Sequence, residues 1–94
     1  MELIFAIVYH TAVISEDIPK LPTVWKQKIR KAIETKLTSH PDVYGKPLRR
    51  SLANYRKLRV GDYRVIFRIE KKTIKIFAIM HRSVIYKHIA DRIA

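Results

Sequence analysis

Residues 55–68, Tyr-Arg-Lys-Leu-Arg-Val-Gly-Asp-Tyr-Arg-Val-Ile-Phe-Arg, limit the possible folds of this chain more than any other stretch. Leu58, Val60, Val65 and Phe67 are apolar, and Lys57, Arg59, Arg64 and Arg68 are interleaved with them. A period of two sends one set toward a core and the other toward water, so the segment reads as a β-hairpin. Gly61-Asp62 between the arms suits a two-residue turn with glycine first, where a positive φ costs little. That turn sets Val60 opposite Tyr63, Arg59 opposite Arg64, Leu58 opposite Val65 and Lys57 opposite Ile66. Lys57, Arg59, Arg64 and Arg68 then share one surface. Like charges facing each other across strands weaken a sheet, so the cluster makes most sense as a seat for a polyanion.

The charge of the whole chain points the same way. Twenty Lys and Arg against eight Asp and Glu give a net +12. The stretch from Lys46 to Lys75 holds eleven basic residues and two acidic ones, a local +9. Such a field concentrates phosphate polyanions and supports salt-sensitive, sequence-independent binding of nucleic acid. An acidic protein, an anionic membrane surface and plain solvent are the other partners such a face admits.

The chain of 94 residues reads as a single domain, 1–94, and its 48% hydrophobic content is that of a folded protein rather than a disordered one. It has no cysteine, which excludes disulfides and thiolate zinc sites and fits a reducing cytosol. The apolar start, Met1 to Tyr9, is short and lacks a basic lead-in, so it reads as a buried strand and not as a signal peptide. No stretch approaches the ~20 apolar residues of a membrane span.

Residues 2–9 carry apolar side chains on both faces, which predicts a strand interior to a sheet. Residues 11–19 suit a short helix ahead of Leu21-Pro22. Trp25, Ile29, Ile33 and Leu37 recur every four residues, predicting a helix over 23–39 with Thr23 as its N-cap and His40-Pro41 as its stop. Residues 41–53 read as a loop bearing Lys46, Arg49 and Arg50. After the hairpin, Lys71-Lys72 makes a turn and residues 73–81 form a central strand. Ser83 then caps a last helix running to about Arg92. The expected fold is α+β, with the order β-α-α-β-β-β-α. It has a small antiparallel-rich sheet of about four strands, with the N-terminal helices packed on one face and a short C-terminal helix.

Where the last strand meets the last helix stands His81-Arg82-Ser83-Val84-Ile85-Tyr86, and a strand end is a common seat for functional side chains. Three segments together resemble the RelE/ParE toxin superfamily of type II toxin–antitoxin systems. They are Lys46-Pro47-Leu48, the stretch from Tyr55 to Phe67, and His81-Arg82 with Tyr86 four residues on. The likeness covers nearly the whole chain and lies nearer the RelE branch than the gyrase-poisoning ParE branch.

The resemblance implies a cytoplasmic, ribosome-dependent endoribonuclease that cuts messenger RNA without metal or other cofactor. The RNA's own 2′-hydroxyl attacks the adjacent phosphorus, which calls for a base, cations for the pentavalent phosphorane and a donor for the leaving 5′-oxygen. Lys57 aligns with the family's base. Arg59 and Arg64 align with phosphate and transition-state binders, for which the guanidinium fork is suited. Arg82 aligns with a residue that steadies the transition state or protonates the leaving group, and Tyr86 with one that stacks on a base or orients the phosphate. His81 and Arg56 are accessory candidates, and Lys46, Arg49, Arg50 and Arg68 are candidates for contacts with RNA or the ribosome. Where many RelE relatives carry a second lysine, this chain has Tyr55.

The implied partners are the ribosome with its messenger, and a cognate antitoxin whose acidic or amphipathic segment covers the basic face in a hetero-oligomer. A membrane is not among them. A ParE-like gyrase inhibitor and a non-cleaving nucleic-acid-binding relative are the alternatives. His10, His40 and His88 show no metal-ligand spacing.

Overall fold

A computed structural model describes residues 4–48 and 52–93. The elements in chain order are β1 (Ala6–Tyr9), α1 (a π-helical turn Val13–Asp17 continued by Ile18–Lys20), α2 (Thr23–Ala32, continued by a π-helical turn Ile33–Leu37) and α3 (Pro41–Tyr44). There follow β2 (Lys46–Pro47), β3 (Arg56–Val60), β4 (Tyr63–Glu70), β5 (Thr73–His81) and α4 (Ile85–Ile93). The described strands make a five-stranded sheet in the order β1-β5-β4-β3-β2, with β1 parallel to β5 and every other pairing antiparallel.

The hairpin forms as its alternation predicts. Arg59 lies opposite Arg64, Leu58 opposite Val65, Val60 opposite Tyr63 and Lys57 opposite Ile66. Gly61 takes φ +60°, and a Cβ there would fall 2.8 Å from Trp25 Cζ3 and nearer still to Cη2. Two constraints therefore fix glycine at this turn: the left-handed backbone and the indole resting on it. Trp25 also packs against Tyr63, with ring centroids 5.2 Å apart, so α2 reaches the hairpin tip.

One face of the sheet carries α1 and α2. Val13, Ile29, Ile33 and Leu37 bury against Leu58, Val65, Phe67 and Ile76. The other face carries α4, where Ile85 and Ile89 bury against Tyr55, Ile66, Phe77 and Ala78. The N-terminal helices thus share one face as expected, and the short C-terminal helix takes the other. An amphipathic stripe shows that a helix buries one side, but not which side of a two-faced sheet receives it.

Four boundaries differ from expectation. β1 sits at the sheet edge, not inside it. Phe5, Ile7 and Tyr9 pack on the core while Ile4 and Val8 are exposed, so only one of its apolar faces is used. The expected loop 41–53 contains α3 and the two-residue strand β2, whose Pro47 is tolerated because the strand is outermost. Pro22, not Thr23, stands at the N-cap of α2, and its carbonyl accepts from the Lys26 amide at 2.9 Å. Ser83 does not cap α4, which starts at Ile85; its hydroxyl instead meets His81 Nδ1 at 2.8 Å.

β5 runs beyond the end of β1, and two helices close the exposed edge. Asp17 Oδ2 accepts from the Ile79 amide at 3.0 Å, and Arg92 Nη1 donates to the Phe77 carbonyl at 3.1 Å. The two side chains also form a bidentate ion pair of 2.6 and 3.0 Å, joining α1, β5 and α4. No helix of the described residues is long and apolar enough to cross a membrane.

Candidate active site

Lys57, Arg59, Arg64, His81, Arg82, Ser83 and Tyr86 line one open hollow of about 620 Å³. β3 and β4 present the first three, and the strand end of β5 and the start of α4 present the rest. Antiparallel pairing of Tyr63 with His81 brings the hairpin tip level with that strand end. All five residues expected to act directly, with the accessory His81, are thus brought to one place.

Hydrogen bonding gives each a distinct setting. Arg64 is only 8% exposed, and its Nη1 donates to the carbonyls of Gly61 and Tyr63, each at 2.9 Å. Those dipoles offset part of the repulsion from Arg59 opposite, which is exposed. One guanidinium is fixed and the other is free to meet a ligand. The Lys57 ammonium stands 5.8 Å from the centroid of the Tyr86 ring, a cation–π contact across the hollow. Tyr86 itself is 47% exposed, in the first turn of α4.

Asp62 has a role that the sequence reading missed. Its carbonyl accepts from the Arg82 amide at 2.8 Å, and its carboxylate stands 3.6 Å from Arg82 Nε. The turn residue thus holds Arg82 at the rim through backbone and side chain together. A carboxylate directly after the turn glycine, opposite a cation-bearing strand end, was the available signal. His81 Nδ1 accepts from the Ser83 amide at 3.2 Å. Its ring meets Tyr63 edge-on at 5.5 Å.

The remaining candidates lie elsewhere. Arg68 shares the strand face but not the hollow, which corrects the expectation of one continuous cationic surface. Ile66, between Arg64 and Arg68 on that face, is fully buried in the core under α4. Arg68 instead pairs with Glu70 and lies over the Tyr55 and Phe77 rings, 5.4 and 5.6 Å from their centroids. The Glu70 hydrogen bond raises its pKa further. Arg56 points to the opposite face and donates from Nη1 to the Gly45 carbonyl at 2.9 Å, tying α3 and β2 to the sheet. Lys46 is exposed on β2, directly across from Lys57. Arg49 and Arg50 lie outside the described residues. Tyr55 is buried edge-on against Phe77 with centroids 5.1 Å apart, so it serves the core and not the site.

The family model described as the ParE toxin of the type II toxin–antitoxin system parDE matches residues 12–86. Toxin RelG of Mycobacterium tuberculosis is 35% identical over 82% of this chain and 91% of its own length. Toxin RelE of the same organism is 32% identical over 84% of this chain and 87% of its own length. Among solved structures, the toxin–antitoxin complex RelBE2 of M. tuberculosis superposes with a TM-score of 0.79 at 30% identity, covering 86% of this chain and 94% of that one. The chain belongs to the RelE/ParE toxin superfamily of type II toxin–antitoxin systems.

Proposed function

We propose that this toxin is a metal-independent endoribonuclease that cuts messenger RNA on the ribosome. The observation that carries the reading is the gathering of Lys57, Arg59, Arg64, His81, Arg82 and Tyr86 around one open hollow. Lys57 takes the proton of the 2′-hydroxyl, and the 2′-oxygen forms a bond to the adjacent phosphorus. Arg59 and the fixed Arg64 hold the two charged oxygens of the phosphorane, and little reorganisation is needed because Arg64 is already held in place. The bond from phosphorus to the 5′-oxygen breaks, and that oxygen, steadied by Arg82, takes a proton from solvent water, to which Lys57 later returns the proton it took. A 2′,3′-cyclic phosphate and a 5′-hydroxyl result. Tyr86 stacks on a base beside the cut.

The RelBE2 neighbour is a complex with an antitoxin. That supports a cognate antitoxin for this chain; in our reading it acts in the cytoplasm and covers the basic face with an acidic or amphipathic segment. A second reading, inhibition of DNA gyrase, is favoured by the ParE description of the matching family model.

Primer extension on translated messenger, run beside a gyrase supercoiling assay, separates the two. Wild-type protein is expected to cut messenger and to leave supercoiling untouched. Arg59→Ala and Arg82→Ala, both at exposed positions, are expected to lose cleavage by about 10²-fold or more, the scale of removing a transition-state donor. Inhibition of gyrase with no messenger cuts would overturn the nuclease reading.

A further inference from the structure

Beside the cationic hollow lies a second, smaller one of about 140 Å³, lined by Lys36, Tyr44, Lys46, Lys57, Leu58 and Arg59. The two share Lys57 and Arg59 as a common wall. Four of the six residues lining the second hollow are cations, and none of its described lining residues is a carboxylate. The Lys36 ammonium stands 5.4 Å from the centroid of the Tyr44 ring, and that ring is left 46% exposed.

The backbone that presents Tyr44 is firmly anchored. The Tyr44 amide donates to the His40 carbonyl at 3.1 Å, and the Gly45 amide to Pro41 at 3.0 Å. Arg56 holds the Gly45 carbonyl from the sheet. A Cβ on Gly45 would fall 2.8 Å from Phe67 Cε1, so the segment lies directly on the core. The His40 ring backs Tyr44 edge-on at 6.5 Å. A rigidly held, half-exposed aromatic ring beside cations that can track a phosphate backbone is the arrangement single-stranded nucleic acid uses, one base stacked per ring. Tyr86 lines the first hollow and Tyr44 the second, and Lys57 lines both.

We propose that Tyr44, Lys36 and Lys46 form a flanking-nucleotide subsite for single-stranded RNA, which extends the proposed cleavage site beyond the scissile phosphate. The inference rests on the RNA-binding reading of the adjoining hollow. A base stacks on Tyr44 in place of the Lys36 ammonium, which moves to the phosphate of the same nucleotide. Lys46 holds the phosphate between that nucleotide and the one at Lys57. Chemistry alone admits a strand from the messenger or from ribosomal RNA; a photo-crosslinking phenylalanine analogue at position 44 on translating ribosomes identifies which strand is captured.

The test is fluorescence anisotropy at low salt with 2′-O-methyl RNA, which cannot be cleaved, in lengths of about three and about eight nucleotides. For wild-type protein and Tyr44→Phe, the longer strand is expected to bind at least tenfold more tightly than the shorter. Tyr44→Ala is expected to lose about tenfold on the longer strand and nothing on the shorter. Lys36→Ala is expected to weaken the longer strand and to lower its salt slope by about one. Equal affinity of Tyr44→Ala and wild type for the longer strand overturns the subsite while leaving the cleavage site intact. Failure of the wild type to bind either length overturns the RNA reading of both hollows.

Discussion

Removing the Asp17 carboxylate should destabilise this fold more than any single loss on its surface. Asp17 is 3% exposed and its partner Arg92 13%. Asp17→Ala leaves the Arg92 guanidinium unpaired at the edge of β5 and the Ile79 amide without its acceptor. Breaking a buried pair by removing one partner costs about 3–5 kcal/mol, and the orphaned amide pushes the figure toward the upper end. A fold of 94 residues is held by roughly 5–14 kcal/mol, so the loss consumes a large share of the total. Urea unfolding can be followed through Trp25, the chain's single tryptophan, which packs against Tyr63. With a slope of about 1–3 kcal/mol/M, the midpoint should fall by roughly 1 M or more. The double variant Asp17→Leu with Arg92→Met removes both charges and should cost less than Asp17→Ala alone. Because the pair also ties α4 to β5, and α4 carries Tyr86, Asp17→Ala should lower the proposed nuclease activity even under conditions where the protein stays folded. A midpoint within about 0.3 M of wild type, or single losses that simply add in the double variant, would refute the reasoning.

Gly61→Ala meets both a positive φ and the Trp25 ring, and should cost about 2–4 kcal/mol, read as a lowered urea midpoint. Burial, and next the charge of Glu34, push the Tyr9 phenol above its ordinary value, while Arg30 pulls it slightly back. The unfolded chain therefore ionises first: this contribution to stability is intact below the unfolded value of about pH 10 and is lost as pH rises from there through the higher folded value. Tyr9→Phe should accordingly show a shallower loss of stability than wild type above about pH 10 in urea titrations.

How much of this was legible in the sequence depends on what each signal encodes. The hairpin register was, because period-two alternation and a Gly-Asp turn leave one pairing that buries Leu58, Val65 and Phe67 together. The family resemblance then joined that hairpin to Arg82 and Tyr86, which spacing alone could not do. Alternation fixes a residue's face but not what covers that face, so Arg68 was read with Arg64 although α4 buries Ile66 between them. The edge position of β1 was hidden because apolar residues on both sides of a strand read as interior, whereas here Ile4 and Val8 remain exposed. A two-residue strand such as β2 carries no period at all. Asp62 escaped notice because its partner, Arg82, lies twenty residues on and is brought near only by the pairing of β4 with β5.

The central claim is that the cations around Lys57 promote attack by the messenger's own 2′-hydroxyl. The most direct measurement uses wild-type toxin and a programmed ribosome whose messenger carries a single 2′-deoxynucleotide on the 5′ side of the mapped cut. Cleavage at that phosphate should disappear, while the unmodified messenger is cut to a 2′,3′-cyclic phosphate and a 5′-hydroxyl. Undiminished cleavage at the deoxy position would contradict the account, because it would mean that water or a protein group attacks the phosphorus instead.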